Sequence, residues 1–177
     1  MSVTLVLGGA RSGKSRFAES LATNPKHYIA TAQALDDDMA QRILIHQQRR
    51  GEAWTSHDVP FDLVRKLQEL DAPQNFILVD CLTLWLSNLL LNEADCAELV
   101  HELVMHLQSA QAEVVIVSNE VGLGIVPDNA LGRAFRDLQG LANQSVAAVA
   151  SCVVFIAAGL PLTLKGPLPT APTSPAK

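Results

Sequence analysis

The sequence predicts an α/β protein, a largely parallel sheet with helices on both faces. Three observations lead there. Short, almost wholly apolar runs recur, Val3–Leu7, Phe76–Val79, Val114–Val117 and Cys152–Ala157, as expected of strands buried on both faces. Stretches of helical period separate them, and that alternation gives parallel neighbours. The first run passes straight into Gly8-Gly9-Ala10-Arg11-Ser12-Gly13-Lys14-Ser15 and then a helical stretch, the strand–loop–helix setting of a P-loop NTPase.

In chain order, the first strand is Val3–Leu7 and the first helix Arg16–Ala22. Tyr28–Thr31 reads as a short second strand. Asp36-Asp37-Asp38 opens a helix to about Arg50, its acids at the start and its arginines at the end, as the helix dipole favours. Asn75–Asp80 is a third strand. Two helices follow, Thr83–Leu91 and Ala94–Ala110, then a fourth strand, Glu113–Ser118. Leu131 to about Ala150 is a long helix and Cys152–Ala157 a fifth strand, with Leu162–Leu164 as a short sixth. A single domain is expected over residues 1–165. Residues 166–177, GPLPTAPTSPAK, have no apolar period and are expected to form a flexible tail.

Composition narrows the function. The 177 residues are 49% hydrophobic, enough for a substantial core, and only 5% aromatic, so that core must be mostly aliphatic. The net charge of −5, without a basic run, argues against nucleic acid held through its phosphates. Cys81, Cys96 and Cys152 are too few and too scattered for a disulfide framework or a zinc site, and fit a reducing cytoplasm. The N-terminus lacks the features of a signal peptide. The longest apolar stretch, Val146–Leu162, is too short and too interrupted to be expected to span a membrane.

The segment Gly8–Ser15 satisfies G-x-x-x-x-G-K-[ST], a match that arises by chance in a chain of this length at under about one in a hundred. Its glycines let successive N–H groups turn onto an anion, and the following helix adds its positive end. Lys14 is placed to reach the β- and γ-phosphates and Ser15 to ligate Mg²⁺. The acid such a metal needs is expected at the end of another apolar strand, where Asp80 stands. An ordinary strand-end acid that caps the next helix is the alternative.

Arg42 and His46 are four residues apart, and Arg49 and Arg50 follow three and four beyond, which puts an imidazole in a cationic cluster on one helical face. A neutral imidazole can attack phosphorus, and arginines can neutralise the charge around that attack. From these residues alone a surface helix with a solvated histidine is the plainer explanation. His27 and His57 offer less, the first before a strand and the second in a loop. Asn119 and Glu120, at the end of the fourth strand and before a Gly-containing loop, are further candidates, since loops at strand C-termini converge on the phosphate loop. Arg133, Arg136 and Asp137 serve either an anionic substrate or surface pairing.

Together the phosphate loop, Tyr28–Ala32, Asp37–Met39 with Arg42-Ile43 and His46, Trp54, Asp80–Thr83, Asn119–Gly122 through Pro127, Phe135–Asp137 and Asn143-Gln144 resemble one family. It is the bifunctional adenosylcobinamide kinase/adenosylcobinamide-phosphate guanylyltransferase of cobalamin assembly, and the resemblance runs from about residue 3 to Lys165. It implies phosphorylation of adenosylcobinamide, then transfer of GMP from GTP to the phosphate through a GMP-histidine intermediate, with release of pyrophosphate. The matching histidine is His46, which reverses the plainer explanation above. The resemblance also implies a nucleotide site of Gly8–Ser15, Ala30, Thr31, Ala32, Arg49, Arg50, Gly51, Asp58 and Asp80, and a homotrimer. GTP and ATP are the implied substrates, with Mg²⁺ as cofactor. Some relatives have a second histidine where Ile45 stands here, and some have Glu in place of Asp80.

Two other readings stay open on the residues themselves. A simple small-molecule kinase would lack the nucleotidyl step. A nucleotide-dependent switch would bind GTP without acting on a corrinoid, but the guanine-reading N-K-x-D pattern is missing.

Overall fold

A computed structural model describes residues 2–33 and 53–170. The expected Asp36–Arg50 helix lies outside the described residues. Strands β1 (Val3–Gly8), β2 (Lys26–Ala30), β3 (Thr55–Asp58), β4 (Phe76–Asp80), β5 (Glu113–Asn119), β6 (Cys152–Ala157) and β7 (Leu160–Lys165) form one sheet, in the order β3-β2-β4-β5-β1-β6-β7. Every neighbouring pair is parallel except β6–β7. The described helices are α1 (Lys14–Ser20), α2 (Leu63–Leu70), α3 (Leu82–Leu91), α4 (Cys96–Ser109) and α5 (Ala130–Val149).

The period-two alternation along each strand assigns the two faces. Leu5, Leu7, Ile77, Val79, Val114 and Ile116 point toward α2–α5 and join Leu63, Leu67, Trp85, Leu103 and Val146 in the larger core. Val6, Leu78, Val115, Val117 and Val154 point the other way and pack with Ala18 and Leu21 around α1. Trp85, fully buried, donates its indole N–H to the Phe61 carbonyl at 2.7 Å, so its polar end is satisfied.

Several elements depart from the sequence expectation. β3, Thr-Ser-His-Asp, is a polar edge strand, so His57 sits in a strand and not in a loop. α2 fills the connection from β3 to β4 and buries Leu63, Val64 and Leu67. α1 starts at Lys14, two residues earlier than expected, with Gly13 as its N-cap. β7 is longer than Leu162–Leu164. It returns from β6 through Ala158 and Gly159, whose positive φ values of 52° and 80° match the twist of a tight hairpin. Lys165 closes the fold by donating to the Ala147 and Ala148 carbonyls at 2.9 Å each, at the C-terminal end of α5 where cations are favoured.

Candidate functional site

The site begins where β1 ends. Gly8 has φ 151°, and a Cβ there would collide with the Ile156 carbonyl oxygen and stand 2.8 Å from Ser12 Oγ. Only glycine therefore lets the chain leave β1 beside β6. Gly13, at φ 101°, turns the loop into α1, and Phe17 N–H donates to its carbonyl at 3.0 Å. The β6–β7 hairpin buttresses this loop from outside, with Gly159 N–H donating to the Ser12 carbonyl at 2.9 Å. Gly9, Ala10 and Arg11 form its outer rim; Ala10 and Arg11 are exposed. Ser15 lies half-buried in the first turn of α1.

Lys14 is only 7% exposed, and its Nζ donates to the Gly9 carbonyl at 2.5 Å. Burial pushes its pKa below the usual lysine value, while Cys81 and Asp80 act against that shift. Lys14 and Asp80 thus interact electrostatically across the space between the phosphate loop and the end of β4. Tyr28 O–H donates to Asp80 Oδ2 at 2.8 Å and steers that carboxylate. Cys81 has its pKa pushed up to about 12 by burial, then by Asp80, so it remains a thiol and not a nucleophile.

The strand ends beside Asp80 are level. Ala30 pairs with Asp58 on one side and with Asp80 on the other. Asp58 is exposed. Thr31 is fully buried; its hydroxyl donates to the Cys81 carbonyl at 2.7 Å and accepts from Cys81 N–H at 2.9 Å, while Asn88 donates to the Thr31 carbonyl at 2.8 Å. That ties β2 to β4 and leaves Ala30 and Ala32, both half-buried, as the more accessible parts of the turn.

A buried polar network fixes the end of β5. Ser118 O–H donates to Asn143 Oδ1 at 2.7 Å, Gln139 donates to Ser118 Oγ at 2.9 Å, and Asn143 donates to the Asn119 carbonyl at 3.2 Å. Thr83 Oγ1 accepts from Asn119 N–H at 2.7 Å, and Glu120 N–H reaches the Gly8 carbonyl at 3.1 Å. Sequence reasoning missed Thr83, Ser118 and Gln139 as supports. The signal available was Gln139 and Asn143, four apart on one helical face. Arg136 pairs with Asp137 at 3.1 Å and Arg133 donates to the Pro127 carbonyl at 3.0 Å, the surface alternative for that group. His46, Arg49, Arg50 and Gly51 lie outside the described residues.

At the sheet edge His27 Nδ1 and His57 Nε2 are 3.3 Å apart. Burial lowers the pKa of His57, helped by His27 and Lys66 and opposed by Glu69 and Asp58. The folded state therefore binds fewer protons here than the unfolded one, so stability rises with pH across this window. That stability is expected to be lost as pH falls through the ordinary histidine value of 6.5 and below. Melting temperature followed from about pH 8 to 5 should fall more steeply in the native chain than in His57→Asn. Equal slopes would dismiss the effect.

The sequence model described as "Cobinamide kinase / cobinamide phosphate guanyltransferase" matches residues 4–164. The chain is 45% identical to the "Bifunctional adenosylcobalamin biosynthesis protein CobP" of Pseudomonas aeruginosa, over 92% of this chain and 96% of that one. It is 39% identical to the CobU proteins of the same description from Escherichia coli and Salmonella typhimurium, over 91% of this chain and 98% of each. The solved P4 protein from bacteriophage phi6 in complex with ADP overlaps at a TM-score of 0.46 with 14% identity, covering 90% of this chain and 52% of that chain, a likeness too slight to bear on function. With the family model matched over residues 4–164 and a relative 45% identical over 92% of the chain, the chain belongs to the cobinamide kinase / cobinamide phosphate guanyltransferase family.

Proposed function

We propose that one nucleotide site, built on Gly8–Ser15, serves both reactions of this family in turn. The observation that carries the proposal is Lys14, buried at the head of α1 and within electrostatic reach of Asp80. Backbone N–H groups of the loop hold the triphosphate tail, and Lys14 leaves the Gly9 carbonyl for the β- and γ-phosphates. Ser12 Oγ, buried with no partner among the described residues, is the kind of donor a phosphate oxygen satisfies. Ala30, Ala32, Asp58, Arg49, Arg50 and Gly51 line the rest of the nucleotide, while Thr31, fully buried and bonded to Cys81, holds the turn from behind.

Ser15 and Asp80 supply hydroxyl and carboxylate oxygen, the hard donors that suit Mg²⁺, which characteristically completes its shell with phosphate oxygen and water. When bound, the ion neutralises charge developing between the transferred phosphate and its leaving group.

In the first reaction the aminopropanol hydroxyl of adenosylcobinamide attacks the γ-phosphorus of ATP or GTP. The bond to the β-phosphate oxygen breaks and the nucleoside diphosphate leaves. In the second, a ring nitrogen of His46 attacks the α-phosphorus of GTP, pyrophosphate leaves, and the chain carries GMP as a phosphoramidate. A phosphate oxygen of adenosylcobinamide phosphate then displaces His46 and forms adenosylcobinamide-GDP. We also place the protein in the cytoplasm, consistent with three free, buried cysteines, and assemble it as a homotrimer. Leu160, Leu162 and Leu164 of β7, each more than half exposed, suit a subunit contact. Among the described residues no helix is long and apolar enough to cross a membrane.

The test is mass analysis of the products from adenosylcobinamide, Mg²⁺ and either ATP alone or ATP with GTP. The first mixture should give the phosphate and the second the GDP derivative. Phosphate as the end product in both would leave only a kinase.

A further inference from the structure

We propose that the cleft beside the end of β5 receives the acceptor substrate, and that Glu120 in its lining takes the proton from the hydroxyl that is phosphorylated. This rests on the reading that Gly8–Ser15 holds the phosphate donor.

The cleft has a volume of about 580 Å³, within the range of small-molecule sites. It runs between α5, the end of β5 and the β6–β7 edge. Leu7, Leu123 and Leu164 give it apolar walls, and Asn143, Gln144 and Glu120 supply polar groups. A corrinoid presents apolar ring edges and peripheral amides, and that mixture suits these walls. The ring is larger than the cleft, so an edge and the flexible aminopropanol arm enter.

Two chain connections place this cleft against the phosphate loop. Leu7, in its lining, immediately precedes Gly8. Glu120, also in its lining, donates its N–H to the Gly8 carbonyl at 3.1 Å. Glu120 therefore sits on the seam between a cavity and the start of the phosphate loop, its main chain bonded to Gly8. Its backbone is held firmly, because Asn119 is bonded by both Thr83 and Asn143. Gly122 N–H donates to Glu120 Oε1 at 2.6 Å and orients the side chain.

The other acids at this end of the sheet are worse placed. Asp80 accepts from Tyr28 and stands near Lys14, where its charge belongs to the nucleotide. Asp58 lies on β3, three strands from β5. A carboxylate is a suitable base here. As the hydroxyl oxygen bonds to the γ-phosphorus, its proton passes to Glu120, and the electron pair of the breaking bond leaves with the nucleoside diphosphate. Glu120 then releases the proton to water.

The experiment separates the chain's partial reactions. Glu120→Gln should lower kcat for phosphorylation of adenosylcobinamide by about 10²- to 10⁴-fold. Glu120→Asp should recover part of the rate. Formation of the protein–GMP adduct from GTP and Mg²⁺ should stay at the native level in both. Gln144→Trp, which narrows the cleft, should raise KM for adenosylcobinamide and leave KM for ATP unchanged. A native kcat in Glu120→Gln would overturn the proposal. So would loss of the adduct along with the kinase, which would make the carboxylate a prop for the Gly122 turn. Lys14→Met is the control: full activity there would remove the donor-site reading itself, whereas full activity in Glu120→Gln alone removes only this inference.

Discussion

Lys14→Met is expected to depress phosphorylation and guanylyl transfer together, each by about 10²- to 10³-fold. The shared loss is the diagnostic part. Lys14 provides the fixed positive charge among the loop's donors, and its buried position makes that charge effective, since water does not screen it. Methionine keeps an unbranched apolar stem but cannot bond phosphate. Lys14→Arg should fail nearly as badly. The planar fork of the guanidinium does not match a position used as a point charge. The fold should survive both changes, since burial already opposes the ammonium. Steady-state rates for each half-reaction and a thermal melt read these effects. Retention of either activity at native level would mean that the two reactions do not share the loop.

The second large effect is selective. His46→Ala should abolish the protein–GMP adduct and lower guanylyl transfer by about 10³-fold or more, because the nucleophile itself is gone. Phosphorylation of adenosylcobinamide should continue. Incubation with GTP labelled in the α-phosphate, followed by denaturation, reads the outcome. A phosphoramidate is acid-labile and base-stable, so label that survives base and is lost in acid marks a P–N bond, and its absence in His46→Ala assigns that bond to the histidine. Persistence of such label in His46→Ala would move the intermediate to another residue.

Sequence reasoning succeeded where the physics is local. The phosphate loop is eight consecutive residues, and the geometry at Gly8 and Gly13 follows from the absence of a Cβ. The buried strands were equally plain, because burial on both faces demands an unbroken apolar run. β3 escaped notice for the same reason. It lies at the sheet edge, is largely exposed, and has no apolar residue to betray it. α2 was visible in principle, with Leu63, Val64 and Leu67 on one face, but its eight residues are short for a helical period. The supports of the site were illegible because they act at a distance. Ser118 meets Asn143 across 25 residues and Thr31 meets Cys81 across 50, and no local pattern records such a bond. The role of His46 came from family resemblance, and its neighbourhood lies outside the described residues.

The level alignment of Asp58, Ala30 and Asp80 has a consequence for how this enzyme can vary. Their relative heights are set by the ladder of main-chain bonds between β3, β2 and β4, so the spacing of the acids is indexed by whole residues. One residue inserted within β4 would displace Asp80 by about 3.3 Å and turn its side chain to the opposite face. Lengthening the connection through α2 would change neither quantity. Natural variation and engineering alike should therefore tolerate added residues in the connectors far better than a single addition inside a strand.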